Sequence, residues 1–159
     1  TTKTFNLAGC MIGSMVASDH ALRSRLVRVA AATAGGRSFN RIGMLMCTAA
    51  WQGGDAWLDE LIDYLSENKR IFEDGVGKIP GLRAMQIEAT YLCWIDFTNT
   101  GMDREEFTRR VEKVAQIAVN HGNTFGAGGD TFLRFNIACR RQLVIEAVDR
   151  LTRAFSDLQ

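Results

Sequence analysis

The chain has 159 residues, the length of one ordinary domain. It is 47% hydrophobic and 23% charged, with 15 glycines and one proline, which excludes a disordered, collagen-like or coiled-coil chain. A net charge of +1, from 19 basic and 18 acidic residues, argues against nucleic acid as a partner, and the longest near-apolar stretch, Leu7 to Ala17, is broken by Ser14 and too short to cross a bilayer.

Residues 10–17 (CMIGSMVA) read as a short buried strand. Asp19 is placed to cap a helix over residues 20–33, with Leu22, Leu26, Val29 and Ala30 along one face. Gly35-Gly36 breaks it. Residues 38–51 are apolar and Met-rich with no polar face, the pattern of a buried helix, and Gly53-Gly54 ends that one. Asp55 opens the clearest helix. Trp57, Leu58, Leu61, Ile62, Leu65 and Phe72 recur at helical spacing against Asp59, Glu60, Asp63 and Lys69, up to Gly75 and Gly77. Ile79-Pro80-Gly81 is a turn. Two strands are expected next, Leu82–Ile87 and Thr90–Phe97, the second β-branched and aromatic. Asp103 followed by Glu106 resembles a capping box, and the helix it starts continues through Phe107, Val111, Val114 and Ala118 to a close at His121-Gly122-Asn123. The Gly-rich loop 126–129 is expected to be a β-connection before a strand from Phe132 to Ala138. A last helix carries Val144, Ala147, Val148, Leu151 and Phe155 on one face.

Cys10, Cys47, Cys93 and Cys139 each sit in an apolar context, and none has the short C-x-x-C spacing of a metal site. They read as small buried hydrophobes in a reduced, cytoplasmic protein, although an even count also allows disulfides. No metal site is expected. His20 and His121 read as solvated residues at helix ends. Runs such as Arg104-Glu105-Glu106 and Arg140-Arg141 read as solvated helix faces.

Three segments carry a resemblance: Thr1-Thr2-Lys3-Thr4-Phe5-Asn6-Leu7-Ala8-Gly9, Glu88-Ala89-Thr90-Tyr91-Leu92-Cys93-Trp94-Ile95-Asp96-Phe97, and Phe132-Leu133-Arg134-Phe135-Asn136-Ile137-Ala138-Cys139. Together they resemble the C-terminal part of a class I/II aminotransferase-fold enzyme that uses pyridoxal 5'-phosphate (fold type I), within it the cystathionine β-lyase branch. The helix at Trp57–Leu61, with Asn68, also fits that branch. The resemblance implies an α/β fold: residues 1–50 as the remnant of a large cofactor-binding domain beginning at the lysine, 51–75 as a long connecting helix, and 76–159 as a small α+β domain with a short, mainly antiparallel sheet packed by helices. It implies a homodimer acting on a small amino-acid substrate. Because an apolar strand at 10–17 would have nothing in its own half to pair with, chain is expected before Thr1.

Residue by residue, the resemblance makes Lys3 the lysine that holds the cofactor covalently and Arg134 the arginine that binds the substrate α-carboxylate. Thr2 stands where a hydroxyl residue lies near the cofactor phosphate. Met11 stands eight residues after the lysine, where many aminotransferases have a phosphate-binding arginine; this departure favours the lyase branch. The residue types suit the roles. A neutral lysine amine condenses with an aldehyde and afterwards takes a proton as general base. Arginine offers a carboxylate two parallel charge-assisted hydrogen bonds. Arg134 alternates away from Leu133 and Phe135 along its strand, and a buried guanidinium should have an anionic partner. Without the resemblance, Lys3 would read as a solvated lysine, and Arg134 as an edge-strand arginine or half of a structural ion pair. Tyr91 and Trp94 read as core or interface aromatics, and Asp96 as structural.

Three activities fit. The first is carbon–sulfur β-elimination giving a thiol, ammonia and a keto acid. The second is amino transfer between amino and keto acids. The third is a cofactor-binding effector domain of a transcription regulator, which a basic DNA-binding segment upstream would mark. The resemblance assigns the acid on the ring nitrogen, the stacking aromatic and most phosphate donors to chain before Thr1. The 159 residues alone are therefore expected to be inactive.

Overall fold

Two side chains start the first two helices. In the computed structural model, which describes residues 1–33 and 40–158, Asp19 accepts the Leu22 amide at 2.5 Å at the head of α1 (His20–Thr33). Asn40 accepts the Gly43 amide at 3.1 Å at the head of α2 (Arg41–Gly53). Each takes up an amide that the helix leaves without an internal acceptor. The expected break at Gly35-Gly36 and the first two residues of the expected 38–51 helix lie outside the described residues.

Two expectations for this region fail. Residues 11–17 are not a strand: Ala8–Cys10 form a short 3-10 turn, and the next seven residues have no regular structure, with Met11 85% and Val16 96% exposed. No strand among the described residues of this region can pair with them, and a β-segment without a partner leaves its amides and carbonyls to water. Nor is α2 buried. Gly43 is its only buried residue, and Ile42, Leu45 and Trp51 are exposed. An apolar circumference shows that a helix has much to bury, not that a covering layer is within reach.

The third helix, α3 (Asp55–Val76), forms where the periodicity places it, but of the expected apolar face only Phe72 is buried, together with Asn68 and Val76, while Trp57 and Ile62 are exposed. The chain divides into two compact units, Thr1–Glu60 and Leu61–Gln159.

In the second unit, β1 (Arg83–Ala84), β2 (Leu92–Asp96), β3 (Asn120–His121) and β4 (Phe132–Asn136) form an antiparallel sheet in the order β1-β2-β4-β3. One face is apolar because alternate residues point the same way: Cys93, Ile95 and Phe97 from β2 and its end, Leu133, Phe135 and Ile137 from β4 and its end. Onto them pack Phe72 and Val76 of α3, Phe107 of α4 (Arg104–Arg109), and Val144 and Leu151 of α5 (Arg141–Ala154), followed by Phe155. Phe97 stacks on Phe107 at 4.7 Å between ring centroids.

Inside this core, Asn68 is fully buried and donates to the carbonyls of Ile137 (2.9 Å) and Cys139 (3.0 Å) just past β4. It satisfies two carbonyls where the ladder stops. Asn68→Ala removes both bonds, and although the Ile137 carbonyl keeps the Cys139 amide at 2.9 Å, the loss should lower stability by about 1–3 kcal/mol, measured by urea unfolding of the chain.

Strands and helices are shorter than the pattern indicates. The expected strand at 82–87 pairs only at Arg83 and Ala84, and the expected strand to Ala138 ends at Asn136. The helix at 104 starts as expected, with Asp103 accepting the Glu106 amide at 2.8 Å. It does not reach Ala118. Residues Arg110–Val114 widen into a π-turn, Ala115 donates to the Arg110 carbonyl, and Gln116 takes a left-handed φ of 54°. The widening falls at Arg110, which reaches the Ala154 carbonyl and Asp157 at the other end of the chain. Glu106 bridges Arg109 and Arg110, whose guanidiniums hold its carboxyl down to about 2. Arg104 and Glu105 are exposed, as a solvated face requires, while Glu106 joins Arg110 in a network that reaches Asp157. Arg141 departs likewise: its guanidinium lies 4.6 Å from the Tyr64 ring centre, and its amide donates to the Tyr64 hydroxyl. His121 is not a helix-end residue; it belongs to β3, with Nε2 at 2.8 Å from Glu112.

Asp96 closes β2. Its Oδ1 accepts from the Thr98 amide (2.9 Å) and hydroxyl (2.6 Å), and its Oδ2 from Arg83 (3.2 Å). Burial raises its pKa, but the Thr98 hydrogen bonds and the Arg83 guanidinium outweigh this and leave it below the ordinary carboxylate value. A depressed native pKa contributes stability above the unfolded value, and that contribution is lost as pH falls through the native one. Between about pH 6 and about pH 3 the thermal midpoint should therefore fall further for the parent chain than for Asp96→Asn, which is destabilised at neutral pH by roughly 1–3 kcal/mol.

Candidate active site

Lys3 lies in the first unit, in a hydrogen-bonded turn. The Phe5 amide donates to the Thr1 carbonyl at 3.0 Å and the Asn6 amide to the Lys3 carbonyl at 3.4 Å. The turn is held by Phe5, 8% exposed, which meets Trp51 edge-on and stacks with Trp57, both at 6.1 Å between ring centroids. Gly54 leaves room for that ring, since a side chain there would strike it. So the backbone is anchored two residues past Lys3, while the lysine side chain is exposed and Thr2 is half-buried. Cys47 donates to the Thr1 hydroxyl at 3.3 Å, and the Cys10 carbonyl accepts from Asn40 at 2.5 Å, which ties this stretch to the head of α2. Met11, at the position the resemblance compares with an arginine, is exposed, with a left-handed φ of 46°.

Arg134 lies in the second unit, on the sheet face opposite the core. Its neighbours Leu133 and Phe135 are buried on the other side, and across the ladder it faces Trp94 in β2 and Asn120 in β3. Its Nη2 donates to Asn120 Oδ1 at 2.9 Å. Its guanidinium carbon sits 4.4 Å from the centre of the Phe125 ring, which is itself edge-on to Trp94 at 5.1 Å. The expected anionic partner is absent: among the described residues no carboxylate pairs with Arg134, and its Nε–H is buried with no acceptor. Beside the guanidinium is a hollow of about 260 Å³, walled by residues 85–90 with Leu92 and Trp94. The wall is fixed by Met85 donating to the Trp94 carbonyl (2.9 Å) and Lys69 donating to the Ile87 carbonyl (2.7 Å), and it includes Thr90 at a φ of 69°. For a β-branched residue that backbone conformation is strained. Chemically, a guanidinium without a carboxylate partner at the edge of a hollow of mixed polarity, with Gln86, Glu88 and Thr90 in its wall, suits one carboxylate.

Asn120 and Phe125 were not singled out from the sequence. The Gly-rich loop held a partial signal. Gly122 and Gly129 approach so closely that neither has room for a side chain, and Gly126 and Gly128 adopt φ values of 124° and 85°. These contacts fold the short turn Gly122–Phe125 back over the sheet and lay Phe125 on Arg134. Among the other singled-out residues, Tyr91 is buried in the core, Trp94 is half-buried on the Arg134 face, and His20 is an exposed first residue of α1. All four cysteines are free thiols. Cys93 is buried, and burial pushes its thiol up to about 12. Among the described residues there is no group of three His, Cys, Asp or Glu that could hold a metal, and no helix is long and apolar enough to cross a membrane.

Residues 1–151 match the model of the family described as aminotransferase class I and II. Cystathionine beta-lyase PatB of Bacillus subtilis is 29% identical over 156 residues, covering 98% of this chain and 40% of that protein. The crystal structure of cystalysin from Treponema denticola, which contains a pyridoxal 5'-phosphate cofactor, is similar with a TM-score of 0.86 at 33% identity, covering 99% of this chain and 40% of that one. The structure of a PLP-bound putative aminotransferase from Clostridium difficile 630 gives 0.84 at 31%, covering 97% and 40%. The chain thus spans about 40% of the length of the relatives it matches. Its helices and small antiparallel sheet are a part of the PLP-dependent transferase fold of type I. By this match across nearly its whole length, the chain belongs to the class I and II aminotransferase family.

Proposed function

We propose that the whole protein cleaves the Cβ–S bond of sulfur amino acids such as cystathionine, with pyridoxal 5'-phosphate held at Lys3. The observation that carries the reading is Arg134, a guanidinium with a buried, unmatched Nε–H and no carboxylate partner, beside a hollow large enough for the end of an amino acid. An α-carboxylate supplies the missing acceptor.

The residues present fit the cofactor at two of its ends. An aldehyde needs a primary amine, which Lys3 offers from an exposed position on an anchored turn. A phosphate needs hydroxyl or amide donors, and Thr2 stands beside Lys3. When bound, this cofactor draws electron density from the substrate Cα and so acidifies its proton. Lys3 Nζ, once neutral, takes that proton. Arg134 holds the α-carboxylate and so limits how the amino acid turns. With sulfur at Cβ, the C–S bond breaks, its electron pair leaves with sulfur, and water releases ammonia and a keto acid from the remainder. The cofactor's other contacts, and the homodimer the resemblance implies, belong to the whole protein. Its free thiols fit a reducing, cytoplasmic setting.

A second reading, amino transfer to a keto acid, shares the Cα deprotonation. It is favoured by the likeness to the PLP-bound putative aminotransferase. Assay of the whole protein with L-cystathionine decides between them: release of thiol and keto acid is expected, and brisk amino transfer without thiol overturns the lyase reading. The 159 residues alone are expected to bind the cofactor weakly and not to turn over. A stable yellow complex with catalysis overturns that.

A further inference from the structure

We infer that Asn120 and Phe125 are positioning residues for Arg134, fixing the plane and rotation of its guanidinium before the substrate carboxylate arrives. The inference rests on the reading of Arg134 as the carboxylate site. A guanidinium on an arginine stem has several rotatable bonds, so a bidentate pair is strong only if the fork is held in one plane beforehand.

Here two contacts set it. The Phe125 ring lies under the guanidinium carbon at 4.4 Å, which fixes the plane, since a cation over a ring face is attracted by the ring quadrupole. Asn120 Oδ1 accepts from Nη2 at 2.9 Å, which fixes the rotation within that plane. Both holders are neutral. A carboxylate in either place would compete with the substrate for the fork, whereas an amide oxygen and a ring orient the cation and leave its charge unmatched. The Nε–H, buried and without an acceptor, is the donor they leave over.

The holders are themselves held. Asn120 is paired into β3 opposite Arg134, and its neighbour His121 contacts Glu112 at 2.8 Å. Phe125 ends the turn that the Gly122–Gly129 approach folds back, and Trp94 stands edge-on to it. The arrangement comes from a short stretch, Asn120–Phe125, and not from the strand that carries the arginine.

The test uses the whole protein, with L-cystathionine as substrate. Asn120→Ala and Phe125→Leu should each raise KM about 5- to 20-fold with kcat within about twofold, the mark of lost binding that substrate and transition state share. Phe125→Tyr keeps the ring face and should restore KM to within about twofold. In an Arg134→Ala background both substitutions should be silent, because there is no guanidinium left to hold. A second readout needs no turnover: in the 159-residue chain, the Arg134 Nε–H resonance should exchange with water faster in Phe125→Leu than in the parent. If Arg134→Ala itself leaves KM unchanged, the carboxylate reading falls and this inference with it. If Arg134→Ala raises KM while Asn120→Ala and Phe125→Leu do not, or if Phe125→Tyr is as impaired as Phe125→Leu, positioning alone is overturned.

Discussion

Lys3→Ala in the whole protein should lower kcat for thiol release from L-cystathionine by roughly 10³-fold or more, the scale of a lost general base. The side chain is exposed, and the urea midpoint of Lys3→Ala, measured beside its kcat, shows whether the lysine also serves the fold. A large kinetic loss with no structural loss separates a reacting amine from a solvated lysine, which would show neither. Lys3→Arg sharpens the contrast. It keeps a positive charge on a long stem but has no primary amine to condense with an aldehyde, so it should be as inactive as alanine. Added methylamine should recover part of the activity of Lys3→Ala, because a small amine can stand in for the lost base. Lys3→Ala retaining a tenth or more of parental kcat would remove Lys3 from the mechanism. The neighbouring anchor gives an independent check: Phe5→Ala frees the turn from Trp51 and Trp57 and should reduce kcat while the amine remains.

Elements were legible in the sequence where one face is apolar and the other is not. The spacing of Leu65 and Phe72 in α3 marks the helix, because residues two turns apart meet the same core. The alternation of Leu133, Arg134 and Phe135 gave both the strand and the side on which the arginine stands. What failed was composition without contrast. The apolar stretches at 10–17 and 38–51 carry no pattern that separates a face to be covered from one left open, and most of their described residues are exposed. Ends were missed where distant residues decide them. Nothing near Arg110 marks a π-turn; the partners its side chain reaches there, Ala154 and Asp157, are more than forty positions away. β3 has only two residues, too few for any periodicity, and exists because β4 offers an edge.

The candidate site divides the same way. Lys3 and Arg134 stand in motifs whose residues are adjacent in sequence, so they could be named. Asn120 and Phe125 are 14 and 9 positions before Arg134, and only the returning strand and the turn at Gly122–Phe125 bring them to it. A β-connection is what the glycines imply on their own. That this connection also supplies the face on which the guanidinium lies depends on the close approach of Gly122 to Gly129, a tertiary contact.

Arg134→Ala should cut kcat/KM for L-cystathionine roughly 30- to 10³-fold, equivalent to about 2–4 kcal/mol for losing one partner of a hydrogen-bonded charge pair. Most of the effect should lie in KM. Arg134→Lys keeps the charge but not the planar fork, so it should fall between alanine and the parent. A decarboxylated analogue of the substrate should be insensitive to the same substitutions, which distinguishes carboxylate binding from general disturbance of the sheet. Stability should move in the opposite direction. The Nε–H is buried without an acceptor, and a donor in that state costs about 1–3 kcal/mol. Arg134→Met retains much of the stem's contact with Phe125 and Trp94 while removing that donor, so it should leave the urea midpoint of the 159-residue chain unchanged or raised while abolishing the kinetic advantage. A structural ion pair would behave otherwise, since breaking one strands a charge and destabilises. A raised midpoint together with a raised KM is what a group held ready for a ligand, at the fold's expense, should give. A midpoint lowered by more than about 1 kcal/mol with KM unchanged would make Arg134 a structural residue instead.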